Sequence, residues 1–331
     1  MKIKIEYIVL AAIIVCLSLY LVFQQSDEVG YSLPDISDIH KKDISKLEIS
    51  IPSEETLVLN KDDNKWMIAS RNYPADQGKV ESMIDVIDEL TLTALVSESE
   101  NYSRYDLGDD KKINVNAWAK DTLIRSFDIG KAASTFRHTF VRIGEDKRVY
   151  HAQENFRGKF DISIEKLRDK TVLSFNETDI QKLSVVNQEK TLVLAMNQIP
   201  VEVGTDSGSQ PGNKKDKEQD KEKMTPEIQP VWQDQDGNQT EKSKVDKLLS
   251  TLSRLTCESY ITGKEKKDFA DMKPIYIITL TGSEEYSLTL FEKADKDATG
   301  YPAISSHNEY PFTLAGFQAE NIMKGLEDKT S

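Results

Sequence analysis

The sequence is poor in the residue types that most metal and redox sites require. It has two cysteines, Cys16 and Cys257, and four histidines in 331 residues. Cys16 lies in an apolar N-terminal run, whereas Cys257 follows an amphipathic stretch, so the two occupy different environments and an intrachain disulfide is not expected. No histidine or cysteine spacing typical of zinc sites occurs. We therefore expect no metal and no cofactor.

Motifs of nucleophilic and phosphate-binding sites are also missing. The 15 glycines are scattered, and no glycine-rich phosphate loop is present. The nearest approach to G-x-S-x-G, at residues 204–208, lies in a polar segment without the required strand–turn–helix setting. No catalytic residue is assigned, and we expect the protein not to be an enzyme. A hydrolase remains the third hypothesis.

Acidic residues outnumber basic ones, 56 to 43, and the sequence contains only one long apolar run. The net charge of −13 argues against nucleic acid as a partner, because such binding needs a basic surface.

The single long apolar run, residues 7–23, is uncharged; Lys2 and Lys4 precede it, and Asp27 and Glu28 follow. It approaches the length of about 20 residues that spans a bilayer. The positive-inside rule places its N-terminus in the cytoplasm and the body outside.

Two alternatives to an uncleaved anchor remain open. A cleaved signal peptide would need a small-x-small site, which residues 21–25 (LVFQQ) do not offer. Lipidation at Cys16 would need a small preceding residue, but Val15 stands there. The uncleaved anchor is the favoured prediction.

What the sequence does contain is a repeat. Residues 79–90 read KVESMIDVIDEL, and residues 244–255 read KVDKLLSTLSRL. Apolar residues occupy positions i, i+3, i+4, i+7 and i+10 in both, which predicts one face of an amphipathic helix. The same register 165 positions later indicates a duplicated unit. The shared apolar positions are Val80, Met83, Ile84, Ile87 and Leu90 in the first copy and Val245, Leu248, Leu249, Leu252 and Leu255 in the second.

The strands predicted around each helix repeat as well. Alternating or β-branched segments at 44–51, 56–59 and 65–69 predict a meander, echoed by 180–183, 191–194 and the surroundings of Trp232. The predicted fold class is α+β: two tandem related units, each a mostly antiparallel sheet with one long amphipathic helix, after an N-terminal transmembrane helix. The predicted divisions are an anchor (1–26), a tether (27–43), a first unit (44–175) and a second unit (176–331) with a disordered charged insert at about 204–230.

The sequence also predicts roles for four individual residues. Asp76 is a candidate N-cap for the first helix, and Tyr73 precedes it in a turn. Both are expected to serve a turn and cap; the alternative is an exposed contact point for a partner. His138 and His151 flank a predicted hairpin, and a surface or cross-strand pair is favoured over a metal site.

Four short motifs carry a family resemblance: YPAD at 73–76, the helix from Lys79, YDLG at 105–108 and LRDKTVLSF at 167–175. With these in this order, the chain resembles the bacterial domain-of-unknown-function family 4340. The resemblance implies one N-terminal anchoring helix, a body facing away from the cytoplasm, and genes beside permeases of gliding-motility-type ABC transporters. No catalytic residues are established for the family, so none can be carried over.

The expected function follows from anchor, repeat and resemblance together. We expect a non-catalytic, membrane-anchored extracytoplasmic protein that acts by protein–protein contact, as an accessory to an ABC-type export or surface-assembly system. Its partners would be permease or ATPase subunits, contacted through Tyr73 and Asp76, and its location the bacterial inner membrane with the body in the periplasm or exterior. The alternative is an extracytoplasmic glycan- or peptide-binding module using a cleft between the two units.

Overall fold

A computed structural model of the chain describes residues 12–20, 32–187, 190–201, 227–295 and 297–330. Its contacts divide the chain into two compact units, 1–169 and 170–331. The division falls before the expected one at 175, because Thr171–Ser174 is a strand paired with Arg254–Thr256 of the second unit.

The first unit is a nine-stranded sheet in the order β4-β3-β2-β1-β6-β7-β8-β9-β5, and its paired strands are antiparallel. A long helix, α1 (Gln77–Asp88), follows β4, and two short helices, α2 (Arg157–Phe160) and α3 (Ile164–Leu167), follow β9. The strands are β1 Lys46–Ser50, β2 Leu57–Asp62, β3 Lys65–Ile68, β4 Tyr73–Pro74, β5 Leu92–Ser97, β6 Ile113–Ala119, β7 Thr122–Ala132, β8 His138–Ile143 and β9 Val149–Gln153.

The second unit repeats this plan. Its large antiparallel sheet has the order β14-β13-β12-β11-β17-β18-β19-β20-β16, and β10 pairs with β15 beside it. Its helices are α4 (Lys242–Leu252) and α5 (Gly316–Thr330). The strands are β10 Thr171–Ser174, β11 Lys182–Asn187, β12 Thr191–Val201, β13 Glu227–Gln233, β14 Gln239–Thr240, β15 Arg254–Thr256, β16 Ser259–Tyr260, β17 Pro274–Thr281, β18 Glu285–Phe291, β19 Gly300–Ser305 and β20 Phe312–Ala315.

The two sheets agree in register as well as in strand order. Trp66 pairs with Lys61 across β3 and β2, and Trp232 pairs with Met196 across β13 and β12. Both indole side chains are buried. The predicted α+β class with two antiparallel sheets is therefore confirmed.

The helices bury the face that the repeat predicts. All ten shared apolar positions are at most 7% exposed. They pack with sheet residues into one core per unit, α1 in the first and α4 in the second. Four of the five shared positions lie in each helix, whereas Leu90 follows α1 and Leu255 lies in β15. Complete burial of such a side chain stabilises the fold by about 1.5–3 kcal/mol, so four per helix make a large contribution to each core.

The expected anchor and tether precede the first unit, and the structure describes each of them only in part. Residues 12–20 are helical, but the rest of the expected anchor lies outside the described residues. No helix in the described part of the chain is long and apolar enough to cross a membrane. Within the expected tether, Leu33, Ile36 and Ile39 pack against the first core, so its second half is not a free linker.

The predicted charged insert lies largely outside the described residues, so its predicted disorder is not addressed. Its expected end at 230 is too late, since β13 already begins at Glu227. Residues 227–233 pair along their whole length with β12.

Candidate functional site

The two residues singled out from the sequence, Tyr73 and Asp76, lie against the family motif at 167–175. The Asp76 N–H donates to the carbonyl of Leu167 at 2.7 Å, and the Asp169 N–H donates to the carbonyl of Pro74 at 2.8 Å. The guanidinium of Arg168 lies 3.7 Å from the ring centroid of Tyr73. The YPAD and LRDK segments are therefore neighbours that close the first unit.

Asp76 also caps α1, as predicted. Its Oδ1 accepts a hydrogen bond from the Lys79 N–H at 3.1 Å, and its Oδ2 lies 3.1 Å from the Lys79 ammonium. Backbone groups of the first helical turn have no partner within the helix, so the carboxylate supplies one. The structural interpretation of Asp76 is confirmed, and a contact with another protein stays a prediction for both residues.

A second place in the first unit has the chemistry of a binding site. An open cleft of about 1250 Å³ lies at β7, β8, β9 and the 3₁₀ helix Tyr102–Tyr105. The core-facing residues of β8 are Thr139 and Val141, so their neighbours His138 and Phe140 project from the opposite face of the sheet. The cleft is lined by Val96, Arg104, Tyr105, Lys131, Ala132, Ala133, Ser134, Thr135, Arg137, His138, Phe140 and His151.

Four of these side chains form a continuous row of rings, Tyr105–Phe140–His151–His138, which we call the ring strip. Ring centroids are separated by 4.9 Å between Tyr105 and Phe140, 4.8 Å between Phe140 and His151, and 5.3 Å between His151 and His138. The last pair is stacked, with an interplanar angle of 24°. Sheet register creates the row, because His151 of β9 pairs with Phe140 of β8. The predicted proximity of His138 and His151 is confirmed.

A glycine allows the first ring to reach the strip. A Cβ added to Gly130 of β7 would lie 2.3 Å from the carbonyl oxygen of Tyr105 and 3.0 Å from a side-chain carbon of Leu107. Real Cβ atoms do not approach a carbonyl oxygen so closely, so any larger residue would displace the 3₁₀ helix. Gly130 thus holds Tyr105 against the sheet.

Three cations, Arg104, Lys131 and Arg137, surround the ring strip. All three are exposed, and none forms an ion pair or a side-chain hydrogen bond with another described residue. Among the described residues, no carboxylate lines the cleft. By contrast, Arg142 on the same strand as Phe140 binds the buried Asp128 at 2.6 Å. The cleft therefore concentrates uncompensated positive charge on a protein of net charge −13.

The inner histidine is kept neutral. Burial, reinforced by repulsion from His138, lowers the pKa of His151 below its ordinary value. Its Nε2 is buried with no hydrogen-bond partner among the described residues. The His151 ring stacks on His138 and is tilted by 44° against Phe140, so the strip is a packed row of rings rather than one flat face.

Metal binding has no obvious place in the described part of the chain, where no group of three or more His, Cys, Asp or Glu side chains comes together. The cleft is instead suited to anions and to ring faces. Cations without partners attract negative charge, and aromatic faces bind the apolar faces of sugars and planar groups.

Comparison with known proteins identifies the family. The model named Domain of unknown function (DUF4340) matches residues 66–274. The chain belongs to the DUF4340 family. The matched range begins at Trp66 in β3 and ends at Pro274 of β17, so the DUF4340 region includes α1, the YPAD and LRDK segments, the cleft and α4. No curated protein and no solved structure matches the chain significantly.

Sequence reasoning found the histidines but missed the cations and Phe140. Arg104, Phe140 and His151 are far apart in sequence and meet only through sheet register. One signal was available: His138 and Phe140 occupy the positions of β8 that alternate with its core residues, where an aromatic side chain is unusual unless it has a contact to make.

Proposed function

We propose that the protein is a non-catalytic binding module that holds a ligand in the cleft of its first unit. The observation that carries this proposal is the ring strip, open to solvent and surrounded by cations without partners. Binding sites combine apolar or aromatic surface with a few convergent polar groups, and the cleft has both. The sequence analysis placed a ligand cleft between the two units, whereas this cleft lies within the first unit alone.

We further propose that residues 7–23 anchor this module in the bacterial inner membrane by a single pass, with the body in the periplasm or exterior. The six large apolar side chains of the helical residues 12–20 are each at least half exposed. Such a surface favours an apolar environment. The anchor would confine the cleft near the membrane and raise its effective concentration for ligands or partners held there.

Protein contact, with a transporter permease or ATPase subunit as partner, is the second candidate. Phe136 supports it: this side chain is 73% exposed in the loop between β7 and β8, and its φ is +56°. An exposed aromatic residue beside a cleft is a common anchor in protein interfaces. A partner seated there would cover the rim of the same cleft.

Binding of the full-length protein to envelope material tests the first candidate. Protein in nanodiscs would be screened against envelope glycans and peptides by biolayer interferometry, with Phe140→Ala as the test variant. Phe317→Ala is the matched control, because Phe317 is exposed and lies in the second unit. Saturable binding that Phe140→Ala abolishes and Phe317→Ala preserves supports the proposal. Binding equally retained by both variants contradicts it.

In-cell crosslinking followed by purification and mass spectrometry tests the second candidate. Recovery of a permease or ATPase that depends on Phe136, Tyr73 or Asp76 supports protein contact. A full-length protein that is recovered alone, while glycan or peptide binding is saturable, supports the first candidate over the second.

A further inference from the structure

We infer that the cleft of the first unit recognises an acidic saccharide, and that the second unit is a copy of the same scaffold that lacks this site. The inference rests on the proposed binding function and adds the class of ligand. Its basis is a comparison of the two units at equivalent positions, which separates residues the scaffold requires from residues it does not.

The equivalence comes from strand pairing. In the first unit Val141 of β8 pairs with Tyr150 of β9, and in the second unit Ala303 of β19 pairs with Phe312 of β20. Both pairs are buried, and both are related by an offset of 162 residues. The scaffold therefore keeps apolar side chains at the core-facing positions of these strands in both units.

The residues at the outward-facing positions of the same strands differ between the two units. The same offset places Gly300, Pro302 and Thr313 at the positions of His138, Phe140 and His151. Three of the four rings are thus absent from the second unit, although β19 and β20 pair in the same register as β8 and β9. The ring strip is not needed to form this sheet, which leaves a role in binding as its physical reason.

The charged residues near these positions also differ between the two units. Arg104 and Asp268 are each the third residue of a four-residue 3₁₀ helix that precedes the corresponding strands β6 and β17. Arg137 corresponds to Thr299 by the offset of 162. A Cβ built on Gly300, the counterpart of His138, would lie 3.2 Å from the Glu258 carboxylate. At the positions of Arg104 and Arg137 the second unit therefore carries Asp268 and Thr299, so neither arginine is kept.

The strand pairing next to the loop before β8 also differs between the two units. The pairing of β7 with β8 shifts register between Ile129 and Ala132, which is the point where Lys131 enters the cleft. The pairing of β18 with β19 instead ends at Leu290 and Ala303, the counterparts of Ile129 and Val141. Register shifts redirect side chains and are common at the edges of functional sites.

Rings and cations together favour a saccharide that carries negative charge. The apolar faces of pyranose rings stack on aromatic side chains, and guanidinium groups bind carboxylate or phosphate through two parallel hydrogen bonds. A volume of about 1250 Å³ exceeds the roughly 300–1,000 Å³ typical of small-molecule sites, which suits an oligomer better than a single sugar.

The test measures affinities of the full-length protein in nanodiscs of zwitterionic lipid for a galacturonate tetramer, a neutral galactose tetramer and inorganic phosphate. The test variants carry the second unit's residues, Arg104→Asp and Arg137→Thr. Arg71→Asp is the control, because Arg71 is exposed, lies outside the cleft and changes the net charge as Arg104→Asp does. Anionic-lipid vesicles serve as a fourth ligand.

We expect the acidic tetramer to bind at least tenfold more tightly than the neutral one. Each cleft variant should weaken it at least tenfold, as loss of a charge-assisted contact does, and Arg71→Asp should change it less than twofold. Added salt should weaken binding. That pattern supports the inference.

Other outcomes overturn it in distinguishable ways. Equal binding of both tetramers, insensitive to the arginines but lost in Phe140→Ala, rejects the acidic ligand and keeps the proposed binding function. Binding to anionic vesicles but to neither tetramer assigns the cations to a membrane surface and rejects the saccharide. Binding of the acidic tetramer that Arg71→Asp weakens as much as the cleft variants reflects overall charge and also rejects it. No binding of any tetramer, glycan or peptide rejects both proposals.

Discussion

Replacing Asp76 with alanine should destabilise the first unit and leave the second unchanged. The carboxylate accepts a hydrogen bond from the Lys79 N–H at 3.1 Å, and its other oxygen lies 3.1 Å from the Lys79 ammonium. Asp76→Ala removes both contacts and leaves a donor of the first turn of α1 without its partner. Because α1 places five side chains in the first core, the loss acts on the whole unit.

The expected magnitude is about 1 kcal/mol. Removing an N-cap side chain costs about 0.5–2 kcal/mol. The ion pair adds a few tenths at most, since the Lys79 and Asp76 side chains are 45% and 37% exposed. For a unit of this size, such a change lowers Tm by about 3 °C.

The effect should depend on pH. Burial alone would raise the pKa of Asp76, but hydrogen bonds and charge from Lys79 outweigh burial and lower it. Because the folded pKa lies below the ordinary value, the unfolded state binds more protons on acidification. The contribution of Asp76 is therefore complete above about pH 4, near the ordinary aspartate pKa, and falls away as pH drops through the folded pKa.

Hydrogen exchange in increasing urea, read by mass spectrometry, reports the stability of each unit separately. The matched control is Glu241→Ala, because Glu241 is the N-cap residue of α4 and makes no side-chain cap hydrogen bond. We expect the control to change stability by less than about 0.5 kcal/mol. Equal losses in the two variants, or a loss for Asp76→Ala that persists unchanged at pH 2, would refute the capping argument.

Three further substitutions follow from the same contacts. Asp128→Thr should destabilise the first unit by about 1–3 kcal/mol in urea unfolding, because the buried Asp128 carboxylate accepts hydrogen bonds from Arg142 and Asn114. Adding Arg142→Ile, which recreates the second unit's pair of Thr289 and Ile304, should restore the part of this loss that is due to Arg142. Gly130→Ala should lower both stability and ligand affinity by displacing the 3₁₀ helix, while Gly158→Ala, with open space around its Cβ, should change neither. Tyr73→Ala should lower the Tm of the first unit, because it removes about 0.5–2 kcal/mol of stacking on the Arg168 guanidinium, and Tyr73→Phe should keep that Tm. For each of the three substitutions, the opposite result would contradict the contact from which it is predicted.

The architecture was predictable from sequence because its signals are local and periodic. The apolar face of residues 80–90 recurs at 245–255, and both faces are buried. Each helix buries the face on which its sequence is apolar, so pattern and packing agree. The N-cap at Asp76 was predictable for the same reason, since a cap lies within four residues of the group it satisfies.

The cleft was not predictable because its residues meet through register. Arg104 and His151 are brought together by a 3₁₀ helix and strand β9, and Gly130 permits that approach. Periodicity shows which residues of a strand face the core, but it does not show what gathers on the opposite face. Strand pairing must be known before Phe140 and Pro302 can be recognised as equivalent positions with different chemistry.

Hydrogen exchange of the full-length protein with and without the galacturonate tetramer tests the central claim most directly, because the two units serve as each other's control. A cleft confined to the first unit predicts slower exchange at residues 131–140 and 149–153 when the ligand is bound. It predicts no change at residues 300–315, the equivalent segment of the second unit. Slower exchange at 300–315, or unchanged exchange at 131–140 with the ligand bound, would contradict the claim that the first unit carries the site.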